Sequence, residues 1–211
     1  MRKPFGLRFG PLNERCAHLC VDAQRMFAEE TAWHTPWLSR VLPNVARIAT
    51  SHPGRTIFTR FLPARSPTEC SGAWRRYYEE WPSMTLNALG EEMTELCPSL
   101  AGLVPPARII DKRVYSPWME PDLDMLLADW NIDTLIVTGG ETDVCVLASV
   151  LGAVDRGYRV ILAADGLCSS ADETHDAMMT LYGSRFGEQI ELTETSEILA
   201  AWPAAQQASV A

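Results

Sequence analysis

Lysine is almost missing from this chain. Of its 18 basic residues only Lys3 and Lys112 are lysines, and the rest are arginine. Positive charge as a whole is short, with 27 Asp and Glu giving a net charge of -9. That balance excludes the basic face on which phosphate-backbone binders depend, so no nucleic-acid partner is expected. Long apolar runs are missing too. The longest, Thr134 to Thr138 and Val160 to Ala164, are strand-sized and far below the roughly 18 residues of a membrane span. The start, MRKPFGLRFG, has no apolar h-region, so no signal peptide is expected. Six cysteines without a C-x-x-C are too sparse for a disulfide framework and fit a reducing, cytoplasmic compartment. Disorder is excluded by 47% hydrophobic and 21% charged residues, close to the globular average. With no internal repeat, 211 residues read as one domain, 1–211, with peripheral tails at 1–14 and 203–211.

Short β-rich runs alternate with amphipathic segments. Strands are predicted at 17–22, 56–61, 108–112, 133–138, 159–164 and 188–192. Helices are predicted at 37–51 (broken or kinked at Pro43), 74–81, weakly at 85–96, and at 123–130, 143–156, 173–182 and 195–202. The alternation implies an α/β fold: a three-layer α-β-α sandwich around a mostly parallel sheet of five or six strands. Ligands of such folds sit beyond the carboxyl ends of the strands. Three ionisable residues fall there: Asp22, Lys112 and Cys145.

Each has two readings. Cys145 follows a strand and the Gly139-Gly140 turn and falls in the first turn of a helix. Free N–H groups and the helix dipole favour a thiolate there and can hold an oxyanion. It can equally be a buried apolar cysteine. Asp22 can cap a following helical turn or act as a general base. Lys112 can be a surface lysine at a strand end, or a compact ammonium that supports a thiolate in a way arginine does not. Together the three form a complementary set.

Three motifs sharpen this. Asp22-Ala23-Gln24-Arg25-Met26-Phe27 resembles D-x-Q-x-x-F. Lys112-Arg113-Val114-Tyr115-Ser116-Pro117-Trp118 is similar to K-x-x-Y-S-x-F. Gly139-Gly140-Glu141-Thr142-Asp143-Val144-Cys145-Val146 is similar to G-x-x-T-x-x-C-V. Over roughly residues 15 to 190 the chain resembles the isochorismatase-like cysteine hydrolases. That family includes nicotinamidases, N-carbamoylsarcosine amidohydrolase, biuret and ureidoacrylate hydrolases, and isochorismatase. The resemblance implies that fold and a homodimer or homotetramer. It implies Cys145 as nucleophile, Asp22 as acid/base, Lys112 as supporting cation, and backbone N–H groups of Glu141 and Cys145 as oxyanion hole beside a cis Gly140–Glu141 peptide. The implied activity is hydrolysis of a C–N bond in a small amide, ureido or carbamoyl compound without a cofactor. Vinyl-ether hydrolysis and ligand binding without turnover are the alternatives.

Nicotinamidase-type relatives hold a metal through an Asp-x-His segment and further histidines after the second strand. Here Thr59-Arg60-Phe61-Leu62-Pro63 occupies that place and no histidine lies between His52 and His175, so no metal is expected. Cys16, His18 and Cys20 alternate along a strand, span about 13 Å and cannot converge on one ion. Phe27, Arg60, Tyr115 and Trp118 are the candidate substrate contacts, Arg60 for a carboxylate or carbonyl. The aromatic and basic stretch from Trp74 to Trp81 reads as a half-buried helix, with a lid over a planar substrate as the alternative.

Overall fold

The computed structural model describes residues 5–202. Its strands are β1 Cys16–Val21, β2 Thr56–Phe61, β3 Arg108–Lys112, β4 Thr134–Gly140, β5 Arg159–Cys168 and β6 Ile190–Thr193. Its helices are α1 Arg25–Ala28, α2 Leu38–Ser51, α3 Gly72–Glu80, α4 Leu86–Leu89, α5 Pro98–Ala101, α6 Pro121–Asp129, α7 Cys145–Asp155, α8 Asp172–Ser184 and α9 Thr195–Ala201. All six strands pair in parallel in the order β3-β2-β1-β4-β5-β6.

Strand side chains alternate between two apolar layers, as the period of two requires. Ala17, Leu19 and Val21 of β1 join Leu135 and Val137 of β4 in one layer, under Leu123 and Leu127 of α6, Val146 and Val150 of α7 and Tyr182 of α8. Cys16, Ile136, Ile161 and Ala163 face the other way, against Ile48 of α2 and Ile198 of α9. With helices on both faces, the central strands β1, β4 and β5 are buried almost throughout.

Four details differ from the sequence pattern. Helix α2 continues through Pro43, because its apolar face (Leu38, Val41, Val45, Ile48) is buried and tertiary packing outweighs one lost hydrogen bond. The 85–96 segment is not one helix. Gly90, at φ +91°, ends α4, and a 3-10 turn over Glu91–Thr94 follows. Strand β5 runs on past the expected end at Ala164 to Cys168; the Asp165 carboxylate accepts from Thr195 N–H at 2.8 Å and Asn44 Nδ2 at 3.0 Å. The amino-terminal segment is bound along the sheet edge rather than loose: Gly6 N–H donates to Leu192 O at 2.7 Å, and Leu12 is buried. The expected tail at 203–211 lies outside the described residues. Among the described residues no helix is long and apolar enough to cross a membrane.

Candidate active site

The strand order reverses between β1 and β4, and the crevice beyond the carboxyl ends of those strands is where such sheets bind ligands. The two strands approach closely there. A Cβ on Gly139 (φ +103°) would lie 2.0 Å from Val21 O, so only glycine fits. The peptide Gly140–Glu141 is cis, and Cys145 opens α7 at the rim of the crevice.

Asp22 follows β1 with φ +49°. It does not cap α1, whose N-cap is Gln24. Its backbone N–H donates to Thr59 Oγ1 at 3.1 Å, and that hydroxyl donates to Asp22 Oδ1 at 2.5 Å. Lys112 reaches in from β3, two strands away. Its Nζ donates to Asp22 Oδ2 at 2.7 Å, Val114 O at 3.3 Å and Cys145 Sγ at 3.4 Å. All three ammonium protons are thus used. The Phe61 ring lies 5.2 Å from Nζ. Carboxylate, ammonium and thiol are all buried.

Burial acts most strongly on Lys112, against its charge, but Asp22 and Cys145 together outweigh it and hold the ammonium above the usual lysine value. Burial likewise dominates Cys145 and pushes its thiol up. Lys112 pulls it back and the Asp22 carboxylate pushes it further. Burial and the Asp22 carboxylate thus oppose the thiolate that the helix terminus favours, while Lys112 supports it. The N–H groups of Glu141 and Cys145 donate to no acceptor among the described residues.

A cavity of about 300 Å³ opens onto Cys145. Aromatic rings wall it: Phe27, Trp33, Phe61, Tyr77, Trp81 and Tyr115. Glu141, Ser170, Ala32 and Val144 complete the lining. Trp33 stacks on Phe27 with ring centres 6.3 Å apart and meets Tyr77 at 5.6 Å. Of the four expected substrate contacts, Phe27 and Tyr115 line this cavity and Trp118 and Arg60 do not. Trp118 packs beneath α7, where its Nε1 donates to Ser149 O at 2.7 Å and its ring fills the space left by Gly152. Arg60 is held by Asp111 at 2.7 Å and Glu95 at 2.9 Å, away from the cavity. Its strand position puts the side chain on the outer side of β2, where acids of β3 and the loop before α5 wait.

Other residues matter that the sequence pattern passed over. Gln24 Nε2 donates to Phe61 O at 3.0 Å and Thr94 O at 2.6 Å, and its Oε1 accepts from Phe61 N–H at 2.7 Å. It ties the end of β1 to the end of β2. Its place inside D-x-Q-x-x-F was the available signal. Thr59 and Trp33 carried none, whereas the aromatic stretch of α3 carried the alternative of a lid. His18 packs in the sheet, with Thr138 Oγ1 at 2.7 Å and Thr56 Oγ1 at 3.3 Å. His175 pairs with Thr142 Oγ1 at 2.9 Å. Among the described residues no group of three or more His, Cys, Asp or Glu is placed to hold a metal ion.

Comparison with known proteins agrees with this architecture. The isochorismatase domain matches residues 16–194. N-carbamoylsarcosine amidase of an Arthrobacter species is 31% identical over 136 residues, covering 60% of this chain and 49% of that protein. Maleamate amidohydrolase of Pseudomonas putida is 24% identical over 119 residues, covering 56% and 54%. The matches thus span about half the length of these curated relatives. A crystal structure of a cysteine hydrolase from Pseudomonas syringae pv. phaseolicola superposes with a TM-score of 0.79 at 24% identity, covering 95% of this chain and 98% of that one.

Proposed function

The chain belongs to the isochorismatase domain family, and from that premise we propose that it hydrolyses a C–N bond of a small amide, ureido or carbamoyl compound through a covalent intermediate on Cys145. One observation carries the reading. A single buried ammonium lies within hydrogen-bond distance of both a carboxylate and a thiol, 2.7 and 3.4 Å away, at the floor of a small cavity. The amidase names of two relatives favour the same bond class.

The steps follow from the charges. The thiol is unreactive until its proton leaves, and Asp22 is the base that takes it. Lys112 balances the negative charge as it moves from carboxylate to sulfur. Cys145 Sγ attacks the substrate carbonyl, and the free N–H groups of Glu141 and Cys145 receive the oxyanion. The C–N bond breaks as Asp22 returns the proton to the leaving nitrogen, releasing ammonia or an amine. Water then gives a proton to Asp22 and attacks the thioester. The acid departs, and the sulfur regains its proton. Thr59 orients the Asp22 carboxylate directly, and Gln24 fixes the strand ends that carry it.

The test is ammonia release from a panel of small amides, ureas and carbamoyl compounds, comparing wild type with Cys145→Ala. Release by the wild type that vanishes in a folded variant is expected. A Cys145→Ala protein that keeps full ammonia release would overturn the thioester route.

A further inference from the structure

The cavity holds one uncompensated charge, and it is negative. Lys112 and Asp22 form a buried ion pair that cancels, and the neighbouring sulfur adds no positive charge. No arginine lines the cavity. Arg60, the nearest expectation for a carboxylate contact, is occupied by Asp111 and Glu95. What remains is Glu141. Ser170 N–H and Thr35 Oγ1 hold its Oε1 at 3.2 and 3.4 Å. Its Oε1 is thus held from two sides, no hydrogen bond to its Oε2 is present among the described residues, and Glu141 lines the cavity.

The rings around it suit the same ligand charge. Phe27, Trp33, Tyr77, Trp81 and Tyr115 present π faces and edges to the same space as this carboxylate. Aromatic faces attract cations, most strongly where water is excluded, and a fixed carboxylate adds a direct ion pair. A substrate carboxylate meets the opposite situation: a like charge, no guanidinium, and desolvation without a partner. The net charge of -9 repels anions at longer range as well.

We propose that Glu141 and the surrounding rings select a small amide or ureido compound that carries a positive charge, such as an ammonium group, and reject carboxylate-bearing ones. This rests on the hydrolase reading for its activity test, but not for its binding test. Glu141 thus has two separate roles. Its backbone N–H serves the oxyanion and its side chain serves recognition, so Glu141→Gln is read only as the ratio of cationic to neutral substrate within one protein, in which any loss common to both cancels.

The activity test uses three amides of matched length: β-alaninamide (cationic), butyramide (neutral) and succinamate (anionic). Ammonia release by the wild type should favour β-alaninamide over butyramide by about tenfold in kcat/KM, with succinamate lowest. In Glu141→Gln the cationic preference should fall to within about threefold of neutral. Succinamate cleaved as well as β-alaninamide, or a preference unchanged in Glu141→Gln, would overturn the proposal while leaving the hydrolase reading intact. The binding test titrates Cys145→Ala with phenyltrimethylammonium and with benzoate, followed by the fluorescence of Trp33 and Trp81. The ammonium should bind more tightly than benzoate, and adding Glu141→Gln should weaken it by about tenfold. If none of the three amides is cleaved, this titration decides alone. Charge-dependent ammonium binding then upholds cation recognition although amide hydrolysis fails, and its absence overturns the proposal.

Discussion

His18, within β1, and Asp22, just past its end, lie four residues apart, and both are buried. The sheet treats them oppositely. His18 lies between two threonine hydroxyls from the flanking strands, and burial lowers its pKa to about 3. It is therefore neutral, satisfied and structural. Asp22 keeps its charge in a salt bridge with Lys112 beside a thiol that the same burial makes harder to ionise. A buried polar group matched by neutral partners has nothing left to exchange. A buried charge balanced by a single counter-charge, with a proton donor alongside, is poised to move a proton.

The strongest way to break this contrast is to remove one charge. Lys112→Met should destabilise the fold by about 3–5 kcal/mol, because it leaves Asp22 buried with no cation. The double variant Asp22→Leu/Lys112→Met should regain much of that loss while staying inactive. Urea unfolding of the two proteins measures both. Equal losses in single and double variants would show that the pair is not the reason for the damage.

The histidine half of the contrast has a pH signature. A folded-state pKa lowered to about 3 from 6.5 means that the unfolded chain binds the proton first. His18 therefore contributes fully above pH 6.5, and its contribution drains away as pH falls toward 3, at about 1.4 kcal/mol per unit. Between pH 6.5 and 5 the wild type should lose about 2 kcal/mol more than His18→Asn does. Urea midpoints at the two pH values, compared between the proteins, isolate this from the carboxylates that titrate in both.

How much of this was legible beforehand divides along the same line. The six strands and the longer helices follow from apolar periodicity, which depends only on neighbours along the chain. Asp22, Lys112 and Cys145 could be read because each ends a strand or opens a helix within a motif, and the fold brings strand ends together. Of the cavity walls, Phe27 and Tyr115 could be read from their motifs and the Trp74–Trp81 stretch as the alternative of a lid, but Trp33 and the inward turn of α3 could not. Trp33 lies in a loop with no period, and Tyr77 and Trp81 point inward only because α3 folds back over the strand ends. Trp118 was misplaced for a related reason. Its motif position is close to the site in sequence, but the absence of a side chain at Gly152, thirty-four residues on, draws the ring beneath α7.

That last point predicts a smaller effect on stability with none on chemistry. A Cβ at position 152 would lie 2.1 Å from Trp118 Cδ1. Gly152→Ala should cost about 1–3 kcal/mol through overpacking and leave KM unchanged. A raised KM on the best substrate of the amide panel would return Trp118 to the binding site.

Arg60→Ala should have the least effect of all. Arg60 spans two carboxylates, Asp111 and Glu95, whose side chains are 40% and 59% exposed. Water already solvates those acids, so losing the bridge strands no buried charge. The expected stability change is within about 1 kcal/mol, and smaller still in high salt. The kinetic expectation is sharper. A guanidinium that bound a substrate carboxylate would, on removal, raise KM for succinamate and spare butyramide. With Arg60 committed to acids outside the cavity, the two substrates should keep their ratio. A selective loss for succinamate would mean that Arg60 leaves Asp111 when an anion enters, and would make the cavity's negative charge switchable rather than fixed.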